Sequence, residues 1–215
     1  MRNPEPPDSQ PAPRRFWLWF GVIFATLFSL AAGIVGFFVY QTYTISKTIT
    51  SSTPTEIPVA SPDQAKMKEL GDRIELFQTA MKQDQPAELV LSAQDLNTLV
   101  ALEPDFAGKV YFDIQGDQIS LKGALPLGTV PGLEGRFLNG TIAMKISLQD
   151  QKLVITPTQL VLDNPDMPKF VQDAVMDSLK KQNLAEEALK EPEFQKWLKT
   201  IKDIKVSNGK IIITR

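Results

Sequence analysis

The chain has 215 residues, with 23 Lys and Arg against 25 Asp and Glu and a formal net charge of −2. It therefore offers no basic field for nucleic acid. It contains no cysteine and no histidine, which excludes disulfides, thiolate or His-assisted nucleophiles, haem ligation by His and zinc sites built from Cys or His.

Residues 1–15 are rich in proline and polar side chains with little to bury, and are expected to form a disordered cytoplasmic tail. The run from Phe16 to Tyr40, FWLWFGVIFATLFSLAAGIVGFFVY, has no charged residue, and the next charge is Lys47. About 20 apolar residues suffice to cross a hydrocarbon core of about 30 Å, so the run predicts a single membrane-spanning helix. Arg2, Arg14 and Arg15 precede it, which by the positive-inside rule keeps the amino terminus in the cytoplasm and places the rest outside. Trp17 and Trp19 before the apolar centre, and Tyr40 and Tyr43 after it, suit the two headgroup boundaries. A cleaved signal peptide has a shorter apolar region and a small-residue cleavage site, whereas this run ends in Phe37, Phe38, Val39 and Tyr40. Within it, Gly21, Ala25, Ser29 and Gly33 recur every fourth residue. Such a ridge lets two helix backbones approach, making self-association through the span a candidate interaction. The competing reading is that small residues are frequent in membrane helices anyway.

Residues 41–60 are dominated by Thr, Ser, Ile and Pro without a period and read as an extracytoplasmic tether. A folded domain is expected over 61–215, a usual size for one core. Ser61-Pro62-Asp63-Gln64 resembles an N-cap box, and Met67, Leu70, Ile74, Phe77 and Met81 then form one helical stripe. Glu88 to Leu91 is a strand candidate; Ser92 caps a second helix, with Asp95 at N3 and Leu96, Leu99 and Val100 facing inward, that stops at Pro104.

From Val110 the period becomes two. Val110, Phe112 and Ile114 alternate with polar residues, Gly116-Asp117 turns, and Ile119 to Leu127 returns. A segment rich in glycine, Leu127 to Gly135, leads into an alternating strand over Leu138 to Leu148, and Asp150-Gln151 turns it back into Leu153 to Leu162. Helices are predicted after Pro168, with Phe170, Val171, Ala174, Val175 and Leu179 on one face, and from Pro192, with Phe194, Trp197, Leu198 and Ile201. Ile204 to Thr214 closes the chain as a hairpin around Asn208-Gly209. The expected fold is α+β, an antiparallel meander sheet with helices packed on one face.

Two segments, LSAQDLN at Leu91 to Asn97 and IKVSNGKIII at Ile204 to Ile213, together with the single anchor, resemble the YpmS-like membrane-anchored proteins of the bacterial envelope. That resemblance implies the cell (inner) membrane and lipid or polymer handling, and no functional residue is carried over from it.

Candidate sites are few. Asp163, Asn164 and Asp166 suggest a calcium loop, but the rest of an EF-hand pattern is missing, and a turn is the simpler reading. Asp113 and Asp117 flank a turn and are the carboxylate pair that glycoside cleavage would need; exposed turn carboxylates are the simpler reading. Asn139-Gly140-Thr141 matches a glycosylation acceptor inside a strand. Phe170, Val175 and Trp197 are candidate lining residues of a groove for a lipid or amphiphile, with ordinary core packing as the alternative. Leu127, Val130 and Leu133 sit in the glycine-rich segment, where they either fold back to fill the core or form a lip that meets lipid. With no nucleophile motif, no cofactor and no metal site, the leading expectation is a non-catalytic tethered interaction or scaffold domain. Its partners would be the bilayer through one span and an envelope protein or a lipid ligand. The alternative is lipid binding in the groove.

Overall fold

The computed structural model describes residues 49–61, 64–128, 133–164, 167–181 and 192–215. The tail, the apolar run with Gly21, Ala25, Ser29 and Gly33, the start of the tether, Val130 and Asp166 lie outside the described residues. Among the described residues no helix is long and apolar enough to cross a membrane.

The order of elements is α1 (Gln64–Lys82), β1 (Glu88–Ser92), α2 (Ala93–Leu102), β2 (Val110–Gln115), β3 (Gln118–Pro126), β4 (Phe137–Gln149), β5 (Lys152–Leu162), α3 (Lys169–Lys181), α4 (Pro192–Thr200), β6 (Asp203–Ser207) and β7 (Lys210–Thr214). The fold is α+β with antiparallel sheets. The expected meander is present as a four-stranded sheet in the order β2-β3-β4-β5. The closing hairpin does not extend it. Strands β6 and β7 join β1 in a second, three-stranded sheet of order β1-β7-β6, so two sheets replace the one expected. Turn residues report only strands that follow one another, and the β1–β7 pairing joins opposite ends of the domain without a local mark.

Backbone chemistry explains the turns. Asn208 and Gly209 have φ of 52° and 72°, and Asp150 and Gln151 have φ of 48° and 58°. Two consecutive left-handed residues match the right-handed twist of the strands they connect. In β5, Pro157 has no N–H for the ladder, and the register shifts opposite it between Ala143 and Met144.

The two sheets share one core. Leu70, Ile74 and Phe77 of α1, Leu96, Leu99 and Val100 of α2, and Val175 and Leu179 of α3 join Phe112, Ile119, Met144, Ile204 and Ile213 from both sheets in one cluster. The turns are tied as well, since the Gly209 N–H donates to the Gly116 carbonyl at 3.0 Å.

Gly140 lies where β5 approaches β4 closely. A Cβ there would meet the Val161 carbonyl oxygen at 2.7 Å and Leu162 Cα at 3.3 Å, whereas one at its cross-strand partner Gly123 would have only ordinary contacts of 3.8 Å or more. Gly140→Ala should therefore destabilise the domain by about 1–3 kcal/mol through overpacking against backbone, and Gly123→Ala should be tolerated. Denaturant midpoints of the two variants check this; equal midpoints would remove the close-approach explanation.

Candidate functional site

The three candidate groove residues do not share a surface. Val175 is 1% exposed and packs in the core beside Leu179, Phe194 and Leu198. Trp197 is half-buried at the core margin, stacked on Phe194 with ring centroids 5.5 Å apart. Phe170 points the other way and is 71% exposed. The inward stripe of α3 is Val171, Val175 and Leu179, one residue further round the helix than a face centred on Phe170, and Ala174 is likewise exposed. The space between helix and sheet at this point is filled by side chains.

The glycine-rich segment folds inward at both of its described ends. Leu127 and Leu133 are 4% and 1% exposed and form a small cluster of their own with Leu138. The Leu127 N–H donates to the Arg136 carbonyl at 2.8 Å, which closes the loop at its base.

The carboxylate candidates each have a separate local partner. Asp117 is ion-paired with Lys145 at 2.6 Å, both side chains being more than half exposed. The Lys145 ammonium holds the Asp117 carboxyl below its ordinary value, the opposite of what a general acid for glycoside cleavage requires. Asp113 accepts from Ile114 N–H and from Gln115 Nε2. Asp163 accepts from Thr55 Oγ1 at 3.0 Å, and among the described residues no group of three or more acidic side chains could hold a metal ion. Asn139 is buried, with Nδ2 donating to the Thr53 carbonyl at 2.7 Å, so the Asn139-Gly140-Thr141 acceptor is sequestered in β4.

Two polar clefts open on the surface. One, of about 730 Å³, is lined by Asp84, Asp150, Lys199, Lys202 and Arg215 among others. There Arg215 Nη1 donates to the Ala80 and Met81 carbonyls, and Nη2 pairs with Asp84, so its guanidinium closes the C-terminal end of α1. The other, of about 270 Å³, lies over the start of α2, between Arg73, Ser92, Asp95, Thr98 and Lys210. Ser92 and Asp95 form the capping box read from the sequence. Arg73 bridges onward, donating to Asp95 Oδ1 at 2.5 Å and to the Val90 carbonyl at 2.7 Å. Burial pushes the Asp95 carboxyl up, but the Ser92 N–H, the Arg73 guanidinium and the Ser92 hydroxyl outweigh it and hold the carboxyl below its ordinary value. The cluster is thus an anchored structural joint, in which both terminal guanidinium nitrogens of Arg73 and both carboxylate oxygens of Asp95 are engaged.

The most extensive feature is the segment that precedes α1. Residues 49–56 are not a free coil but an arm laid along the meander. Ile49 and Thr50 are 5% and 3% exposed. Ser51 pairs with Phe137 in both directions at 2.8 Å, continuing past the point where β5 leaves β4. Arg136 donates through Nε to Thr50 Oγ1 at 2.5 Å and through Nη2 to the Thr50 carbonyl at 2.6 Å. Lys122 Nζ reaches the Glu56 carbonyl at 3.2 Å, and Pro58 to Ala60 lie against Asn97, Val100 and Val110. The sequence carries little sign of this arm, because most of its contacts are made by main-chain groups and need no apolar period.

No protein-family model, curated protein or solved structure matches this chain.

Two measurements follow from these contacts. A fragment beginning at Ile49 should be about 2–4 kcal/mol more stable than one beginning at Ser61, from burial of Ile49 and several net hydrogen bonds. Urea midpoints of the two fragments read this directly, and coincident curves would mean the arm is not held. Asp95, with its folded-state pKa depressed, adds stability that is present above the unfolded carboxylate value of about 3.9 and is lost as pH falls through the folded value. Wild type and Asp95→Asn should therefore differ in melting temperature most at neutral pH and converge in acid; a constant offset from pH 7 to pH 2 would show that the charge contributes nothing.

Proposed function

We propose that this protein is a membrane-tethered, extracytoplasmic interaction or scaffold domain of the bacterial cell envelope, non-catalytic and held at the inner-membrane surface by one N-terminal span. The span is the uncharged run from Phe16 to Tyr40, with Arg14 and Arg15 on its cytoplasmic side. The observation that carries the reading is the docked arm. Ile49 is already buried in the domain, so at most Gln41 to Thr48 lie between span and folded surface. A domain meant to range freely needs a longer leash; one docked this close to its anchor presents a defined face to the membrane and another to the periplasm or wall.

The carboxylates weighed for acid–base work carry ordinary local partners, and the chain has neither histidine nor cysteine. The resemblance of LSAQDLN and IKVSNGKIII to the YpmS-like envelope proteins points to the same compartment. The groove alternative loses support where it was most specific, since Phe170, Val175 and Trp197 stand in three different environments.

The topology is tested by fusing a reporter that is fluorescent only in the cytoplasm after Arg215. The fusion should remain dark while the protein resists alkaline extraction from membranes. A bright fusion would overturn the orientation, and release by alkali would overturn the span.

A further inference from the structure

We propose that the first turn of α3 rests on the bilayer and that Phe170 enters its interfacial layer. The proposal rests on the reading of Phe16 to Tyr40 as a span and adds the face that the domain turns towards the membrane.

The linker sets the geometry. About eight residues, Gln41 to Thr48, reach at most about 28 Å when fully extended. A domain of this size has a radius of gyration of about 15 Å. The linker is therefore shorter than the domain is wide, and the end where the arm docks stays within about 28 Å of the lipid.

Contacts along the arm place Phe170 at that end. The arm runs from the Ser51–Phe137 pair to Thr53, bonded to Asn139, and to Thr55, bonded to Asp163. Asp163 N–H donates to the Asn139 carbonyl, so the end of β5 lies beside the start of β4. Before α3, Met167 N–H donates to the Asn164 carbonyl at 3.1 Å. Gln172 Nε2 then donates to the Leu160 carbonyl at 2.6 Å, which pins the opening of α3 against the last residues of β5. Phe170 sits two residues before that pin.

The side chains there suit an interface. Phe170 is the most exposed aromatic among the large apolar residues of the described structure, at 71%. A phenyl ring carries a large apolar area that water leaves unsatisfied. Exposed Lys169 lies next to it, able to reach headgroups along its stem. Exposed Asp163 and Asp173 face the same region, so the corner has no cationic field. Contact would come from apolar insertion and would not depend on anionic lipid.

The chain has no native cysteine, which makes single-cysteine labelling clean. Full-length Phe170→Cys, carrying an environment-sensitive fluorophore, is reconstituted in phosphatidylcholine vesicles with and without spin-labelled lipid. Lys152→Cys is the control, exposed at the other end of β4 and β5, roughly 40 Å along a 13-residue strand. The probe at 170 should shift to the blue and lose emission to spin-labelled lipid, unchanged when anionic lipid is added, while the probe at 152 does neither. Absence of quenching at 170 in alkali-resistant protein would overturn this proposal and leave the span intact. Equal quenching at both positions would overturn it too, because the domain would have no preferred face. A blue shift in detergent that grows with protein concentration would assign Phe170 to a second copy instead. Release of the protein by alkali would bring down the span and this proposal together.

Discussion

The buried side-chain amide of Asn97 is the joint on which the domain turns. It is 4% exposed, its Nδ2 donates to the Phe112 carbonyl at 2.7 Å, and its Oδ1 accepts from the Phe112 N–H at 2.8 Å. Both main-chain groups of a residue in β2, an edge strand, are thereby taken by a helix side chain in the geometry that another strand would use. An unpaired edge is a template for aggregation and an unpaired buried amide is costly, and Asn97 removes both penalties with one residue. It also fixes α2 against β2, and α2 follows β1 directly, so the same pair of bonds holds the second sheet to the first.

Edges at β1 and β5, and the uncovered start of β4, are met by the same kind of chemistry. Arg73 takes the Val90 carbonyl of β1, Gln172 takes the Leu160 carbonyl of β5, and the arm supplies Ser51 to Phe137 where β5 no longer covers β4. The first two seals join consecutive elements, 17 and 12 residues apart, and only the arm reaches far along the chain, with Thr50 and Arg136 separated by 86 residues. In a chain without cysteine, such seals and the single shared core carry cohesion that no disulfide can supply.

Local chemistry was legible in the sequence and long-range chemistry was not. Ser92 with Asp95, Asp150-Gln151 and Asn208-Gly209 declare themselves because capping and left-handed φ demand particular residues within a few positions. Leu127 and Leu133, apolar on a glycine-rich backbone, could be read as folding back, and both are buried in a small cluster of their own with Leu138. The predicted stripe puts Phe170 on the wrong side of α3 because apolar identity alone fixes a helical face only to within one residue, and one residue turns a side chain by about 100°. Asn97 left one usable trace, an amide side chain set with Thr98 between Leu96 and Leu99. The arm and the β1–β7 pairing left none, since main-chain hydrogen bonds ask little of side-chain identity.

The two segments that carry the resemblance to envelope proteins meet in space. Leu91 pairs with Ile211 and Ser92 with Lys210 across β1 and β7, and LSAQDLN goes on to supply the capping box and Asn97. What they build is therefore one structural knot: a sheet edge, a helix start and the amide that locks the meander. Motifs that hold a scaffold together say how the domain is built without saying what it touches. Contact chemistry has to be sought where residues are left over after the fold has used what it needs, and the exposed ring of Phe170 at the start of α3 is such a residue.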